Sequence, residues 1–491
     1  MTADLGTTRD TAPPQDDSLP REVKLVIGLL LVATFVVVLN ETIMGVALPQ
    51  LMGDLEISAS TAQWLTTGFL LTMAVVIPTT GLILKRFSTR RVFIAAMSLF
   101  SAGTLLAAVA PGFPVLLVGR VIQASGTAIM IPLLITTVLT FVPESRRGRT
   151  MALISIVIAV APATGPTFSG LILSQLSWRW LFIIVLPIAL VALALGATFV
   201  KNITTPQAVR FDLLSIVLSA AAFGGLIYGL SSIGESAAGH GTPVPPAVPI
   251  AVGAVALAVF VWRQVVLQRT DSALLDLRPF KQRSFVVGIV VLLVAMGALF
   301  GTLILLPIYL QDVQGLTTLQ TGLVLLPGGL VMGLLAPFVG RAFDKVGPRP
   351  LVIPGTVVVA LALAGMTLLD ETSGRPMVIA VHVVLSMGLG LVMTPLMTSA
   401  LGSLDRTLYS HGSAVLNTLQ QLAGAAGTAL FVAIMTTRSA SAAEDGMAPL
   451  DALASGIHSA FLVGAGLALV AVAASFLVRR PKTAPVDVPL H

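Results

Sequence analysis

The sequence predicts an all-α polytopic membrane protein, and three observations predict it. Of 491 residues, 56% are hydrophobic and only 10% charged, where a soluble domain carries about 25% charged residues. Mean hydropathy is +0.98. Apolar runs of about 20 residues, the length at which a helix crosses a bilayer, recur along the whole chain. Finally, Lys and Arg collect in alternate loops between those runs, the asymmetry that distinguishes cytoplasmic from external segments.

Fourteen spans are expected, at about 23–49, 61–84, 92–111, 113–138, 150–173, 180–200, 211–232, 247–267, 285–311, 317–340, 351–369, 376–400, 411–437 and 455–478. The first twenty residues are polar and contain Pro and Asp. They read as a disordered cytoplasmic tail and lack the basic start and short apolar core of a cleaved signal peptide. The second span ends in Gly81-Leu-Ile-Leu-Lys85-Arg86-Phe-Ser88-Thr-Arg90, and the tenth in Gly340-Arg-Ala-Phe-Asp344-Lys345-Val-Gly347-Pro-Arg349. Glycine, basic residue and arginine recur at matching offsets, which predicts two related six-helix halves. The segment 234–249 between the seventh and eighth spans has no Lys or Arg and is rich in Gly, Ala and Pro, which suits an external loop. The expected division is a tail at 1–22, a six-helix bundle at 23–200, two extra helices with linkers at 201–284, a second six-helix bundle at 285–480 and a tail at 481–491.

With both termini inside, every Lys and Arg except Arg120, Arg179, Arg375 and Arg438 falls on the cytoplasmic side. The net charge of +6 and pI near 10 then reflect this loop bias, and nucleic acid is not an expected partner. There is no cysteine, which excludes disulfides, thiolate metal sites and cysteine nucleophiles. No phosphate-binding glycine loop, nucleophile–base set or metal-spaced histidine pair is visible, so neither enzyme chemistry nor a metal or cofactor is expected. His382 and His458 stand alone and read as structural or loop-edge residues.

Polar residues inside the spans are the functional candidates, because a charge at a helix centre costs about 2.5–3.5 kcal/mol on insertion scales. Glu41 lies in the first run, on one helical face with Thr34, Gly45 and Leu48. It is either a satisfied structural acid or a carboxyl that gains and loses a proton. Arg120 enters the fourth span with Gln123, Ala124 and Thr127 on its face; it either pins a backbone carbonyl or lends its field to a nearby proton site. The fifth span carries Pro162, Gly165, Pro166 and Gly170, a bent helix that lets a neighbour approach. In the thirteenth, Asn417, Gln421, Gly424 and Thr428 share a face. They serve as interhelical hydrogen bonders or as a polar wall of a substrate cavity, with Asn40 and Gln123 as further wall candidates.

Taken in order, these motifs resemble those of the major facilitator superfamily, and within it the fourteen-span drug:proton antiporters. The motifs are Leu39-Asn40-Glu41-Thr42 through Ala47-Leu48-Pro49, Gly81 to Arg91 with its copy at Gly340 to Arg349, Arg120 to Gly126, and Gly165-Pro166 with Gly170. Trp178-Arg179-Trp180 before the sixth span is also similar. The resemblance implies a major facilitator fold of two six-helix bundles plus two extra helices. It implies export of drugs or other amphipathic molecules against protons, with the proton as coupling ion, by a monomer in the cytoplasmic membrane. Glu41 and Arg120 would couple the proton; Gly81, Arg86, Arg90, Gly165, Pro166, Gly170, Gly340, Asp344, Gly347 and Arg349 would serve the conformational change. The chain departs from the pattern in three places. The acid is at Glu41 rather than at Asn40, as in the lincomycin-resistance-type branch. Lys85 and Ser88 replace an acid and a glycine, and Ala124 replaces a glycine. A proton-coupled importer and a lipid exporter are the alternatives; the Gly165-Pro166 motif and the two extra helices favour export.

Overall fold

The architecture comes from a computed structural model. It describes residues 21–142, 164–200, 202, 212–237, 244–270, 272–370, 373–404 and 408–478, with isolated positions between 153 and 161. The helices are α1 (Arg21–Thr42), α2 (Met44–Leu55), α3 (Ala59–Ala62), α4 (Trp64–Arg86), α5 (Thr89–Ala108), α6 (Phe113–Phe141), α7 (164–173), α8 (Trp180–Ile183), α9 (Val185–Phe199), α10 (Leu213–Ala237), α11 (Ala247–Leu267), α12 (Arg283–Ile308), α13 (Thr318–Val346), α14 (Arg349–Met366), α15 (Arg375–Gly402), α16 (Tyr409–Glu444) and α17 (Pro449–Ser475). Among the described residues, thirteen helical stretches are long and apolar enough to cross a membrane. Much of the fifth expected span, including Pro162, lies outside the described residues; 164–173 is its helical end.

Local chemistry sets the ends. α2 stops where Glu56 turns left-handed (φ 51°) and its N–H reaches the Gly53 and Met52 carbonyls, the usual way of satisfying last-turn acceptors. Ser58 accepts from the Thr61 N–H to start α3. Thr317 and Gln320 cap α13 reciprocally. α13 ends at Gly347, whose φ of 80° is a conformation glycine reaches without a Cβ clash. The matching residue of the first repeat, Ser88, is extended and opens α5. The two copies of the loop motif therefore turn differently, and a serine suffices in the first.

Two boundaries differ from the expectation. The first run is two helices, α1 and α2, parted at Ile43. Pro49 lies inside α2 and denies the Gly45 carbonyl its helical donor. α16 continues through Arg438 to Glu444, because the polar stretch Thr436–Glu444 holds good helix formers and neither Gly nor Pro. Arg438 is thus on a helix, not in a loop.

The helices form two bundles with the same internal pairings. In the first, α1 packs on α6 and α9, α4 on α6, and α5 on α6 and α9; in the second, α12 packs on α15 and α17, α13 on α15, and α14 on α15 and α17. The bundles meet where α4 packs on α16 and where α2 reaches α12 and α13. α10 and α11 form a close hairpin: a Cβ on Gly225 would lie 2.8 Å from the Pro249 carbonyl oxygen. α10 also packs on α16 and α4.

Where α10 begins and α11 ends, the hairpin is closed by a polar cluster. Arg263 donates to both Asp212 oxygens, at 2.8 and 3.1 Å. The Ser215 N–H donates to Asp212 at 3.2 Å and its hydroxyl to the other oxygen, and Gln264 donates to Ser215 at 2.7 Å. Partial burial works against the Asp212 charge, but the Arg263 and Ser215 hydrogen bonds hold its carboxyl below the usual carboxylate range. A depressed acid stabilises the fold above its unfolded pKa, and that contribution is lost as pH falls through the folded value. Asp212→Ala is therefore expected to lower stability by about 1 kcal/mol, chiefly as a lost helix cap. Thermal unfolding in detergent should show this deficit at neutral pH and a smaller one well below pH 4.

Candidate functional site

Arg120 sits in the middle of α6 and is fully enclosed. Its guanidinium is held by neutral acceptors from three helices. Nη1 donates to the Asn40 side-chain oxygen at 2.6 Å, to the Asn40 carbonyl at 3.2 Å and to Gln123 Oε1 at 2.7 Å. Nε donates to the Leu65 carbonyl at 3.2 Å, and the Phe69 ring lies under the guanidinium carbon at 4.1 Å. Gln123 in turn donates to Thr104 on α5 at 2.8 Å. That link requires α5 and α6 to touch: a Cβ on Gly119 would lie 2.9 Å from the Ala107 nitrogen. Asn40 and Gln123 are fully enclosed and point into this network rather than along a cavity wall.

Glu41 is the next residue but faces another way, since one helical step turns a side chain by about 100°. It is half-buried. It lies within electrostatic range of Arg120 and close beside the Gln421 side chain of α16. Glu41 belongs to the first bundle and Gln421 to the second, so the contact bridges them. Gln421 also reaches the Met73 sulfur of α4 at 3.5 Å. Asn417, one turn earlier, makes only a local 3.5 Å contact to Ser413, and Thr428 is buried; neither joins the Glu41 cluster.

The remaining motif residues line the meeting surfaces. Gly165 abuts the Thr42 hydroxyl of α1. A Cβ on Gly170 would lie 2.5 Å from the Thr318 carbonyl oxygen, and one on Gly322 would lie 2.8 Å from that of Pro166. Thr167 donates to the Gly322 carbonyl at 3.0 Å. The Gly165-Pro166 segment therefore sits where α7 crosses α13, the counterpart of the α4–α16 crossing. Gly81, Arg86, Arg90, Gly340, Asp344 and Arg349 are more distant: Gly81, Arg86, Arg90, Asp344 and Arg349 are exposed at the helix ends on the side of the N-terminus, and nothing crowds Gly81 or Gly340.

The arrangement is one buried cation held through Nη1 and Nε by neutral acceptors, one acid between two like bundles, and small-residue crossings where the bundles meet. The family model described as Major Facilitator Superfamily matches residues 30–428. The chain belongs to the major facilitator superfamily. Within that superfamily it is similar to the lincomycin resistance protein LmrB of Listeria monocytogenes, 42% identical over 462 residues that cover 93% of this chain and 97% of that protein. It is 39% identical over 459 residues to the LmrB protein of Bacillus subtilis, covering 92% and 95%. It is 30% identical over 411 residues to the multidrug resistance protein B homolog of Mycobacterium tuberculosis, covering 83% and 75%. A crystal structure of a peptide transporter in complex with sulfate shares the fold, with a TM-score of 0.65 at 17% identity, covering 92% of this chain and 94% of that one.

Several residues in this major facilitator site carried no sequence signal. Thr104 is an ordinary helix threonine until α5 meets α6. Gln311, in the π-helical turn Tyr309–Val313 that ends α12, donates to the Val46 carbonyl of α2 at 3.1 Å. A polar residue at the end of an apolar span, next to a helix irregularity, is the cue that could have drawn notice to it. Gln311–Val46, Thr167–Gly322 and Gly170–Thr318 all lie at the helix ends opposite the N-terminus, so the bundles are closed there. Gly170→Ala should therefore fold but resist that closure. A membrane-impermeant thiol reagent should label a single cysteine at Thr318 several-fold faster in this background than in the parent; equal rates would show that the crossing tolerates the methyl.

Proposed function

We propose that this chain is a proton-driven efflux transporter that exports drug-like amphipathic molecules by rocking its two bundles. The names of its relatives, which describe lincomycin and multidrug resistance, support the substrate class. The observation that carries the coupling is the placement of Glu41: a half-buried acid on α1, beside Gln421 of the opposite bundle and within electrostatic range of Arg120, whose Nη1 and Nε are held by neutral acceptors. Protonation changes what Glu41 offers Gln421, from acceptor alone to acceptor and donor, and so biases the relation of the bundles. Substrate bound in the same region biases the same equilibrium, and that shared bias is coupling. The protein acts as a monomer, with the proton as its only coupling ion and no metal or organic cofactor, and both termini face the cytoplasm.

Orientation is tested with single cysteines in a chain that has none. Asp54 and Arg91 are exposed at opposite helix ends. An impermeant reagent applied to intact cells should label Asp54→Cys and spare Arg91→Cys; the reverse would invert the topology.

Coupling is tested with Glu41→Gln, which keeps the shape and removes ionisation. The variant is expected to insert normally, to bind a neutral substrate, and to lose export driven by an imposed pH gradient by at least about tenfold, the change that corresponds to about 1.4 kcal/mol. Substrate-induced proton release in proteoliposomes should vanish with it. Parental coupling in Glu41→Gln would remove Glu41 from the mechanism.

A further inference from the structure

The inserted hairpin α10–α11 has contacts with both bundles, and they differ in kind. On the α16 side the contact is close and long. Ala425 and Ala429 are enclosed with Ile227 of α10, Leu70 and Phe300 in one apolar cluster. One turn beyond, a Cβ on Gly234 would lie 3.0 Å from the Ala433 Cα and 3.2 Å from the Ser60 hydroxyl of α3. Small residues spaced four apart let two backbones approach, and such contacts hold membrane helices together. The hairpin's inner end is tied the same way: the Leu275 N–H donates to Gln264 at 3.0 Å, with Leu274 and Leu275 buried in the main core. Asp276, in the connection leading to α12, lies within electrostatic range of His411 at the start of α16.

On the other side Leu71 and Val75 of α4 pack against Ala222, Phe223 and Ala256, and a hydrogen bond near the outer end joins α10 to the first bundle. Gln63, at the junction of α3 and α4, donates to the Ser231 hydroxyl at 2.6 Å, and both side chains are enclosed. The neighbouring Trp64 and Tyr228 rings are tilted, with centroids 6.0 Å apart. Close by, Ser60 and Thr436 meet at 3.5 Å across the two bundles. Gln63–Ser231 therefore lies at the closed end, where the bundles must part if they rock. A buried side-chain hydrogen bond is weak beside an extended backbone-close contact, so parting should break the former and keep the latter.

We propose that α10 and α11 move with the second bundle, and that Gln63–Ser231 is a latch by which the first bundle closes against the inserted helix. This rests on the rocking motion proposed above. The insertion is then not a bystander: it extends the closing surface of one bundle beyond α16, and it screens the outer part of the α4–α16 crossing in the closed state.

The test measures distances between spin labels on exposed outer positions: Asp54 in the first bundle, Ala247 on the insertion and Asp445 at the end of α16. Pairs of cysteines are placed in the full chain in lipid nanodiscs, at acidic and at alkaline pH. The Asp54–Asp445 and Asp54–Ala247 distributions are expected to shift together, while Ala247–Asp445 keeps its mean and width. In Gln63→Leu and Ser231→Ala the longer Asp54–Asp445 population should grow at both pH values; an unchanged population would reduce that bond to packing and remove the latch. A shift in Ala247–Asp445, with or without one in Asp54–Ala247, would overturn the assignment of the insertion to the second bundle. If Asp54–Asp445 does not respond to pH in any background, the rocking itself fails, and the latch with it.

Discussion

The guanidinium of Arg120 is the constraint around which the first bundle is arranged. Placing a cation at mid-helix in a membrane protein demands acceptors in a fixed geometry. The chain supplies them as carbonyl dipoles and amide oxygens: Asn40, Gln123 and the Leu65 backbone, above the face of Phe69. Each comes from a different part of the sequence, so satisfying Arg120 fixes α1, α4 and α6 against one another. Thr104 then brings α5 into register through Gln123. Replacing the cation or its acceptors would leave enclosed polar groups exposed to hydrocarbon, which costs far more than the hydrogen bonds contribute when made.

A second constraint is close approach. The bundles carry matching pairings of helices, and they meet at two crossings related by the same pseudosymmetry, α4 with α16 and α7 with α13. At α7–α13 the space is made by Gly170 and Gly322, whose absent side chains let carbonyl oxygens lie where a methyl would be. Small residues make a surface that can be closed and reopened without large side chains to unpack. This is the physical content of a glycine-proline motif that, read alone, is only a bent helix.

The sequence was informative wherever a single residue type had to be justified against hydrocarbon. The apolar spans and their long lengths follow from composition and periodicity. Glu41 and Arg120 stand out because charges inside a span need a reason. The repeated loop motif announced the two halves. What sequence could not supply was partnership. Asn40 and Gln123 are polar residues in spans and fit a cavity wall as well as a cation's cage; only the meeting of α1, α5 and α6 chooses the cage. Gln421 and Asn417 share a helical face, yet only Gln421 reaches Glu41, because the crossing with the first bundle passes one turn beyond Asn417. The helix break at Ile43 was not legible, since Ile is a common residue in membrane helices.

The neighbours Asn40 and Glu41 divide two tasks that one acid would combine. A carboxylate at position 40 would sit 2.6 Å from Arg120 in the present geometry and form a buried ion pair. Breaking such a pair strands a charge, so it tends to hold its state. An amide gives the cation an acceptor without committing a negative charge to it. The ionisable group then stands one residue on, still within electrostatic range of the cation and beside Gln421 of the opposite bundle. In the mechanism proposed above, a proton gained or lost there acts on a contact between bundles rather than on the inside of one. The step from position 40 to position 41 is thus a change in what the charge is connected to: Asn40 holds Arg120 by its amide oxygen, and the carboxyl of Glu41 stands where the two bundles face each other.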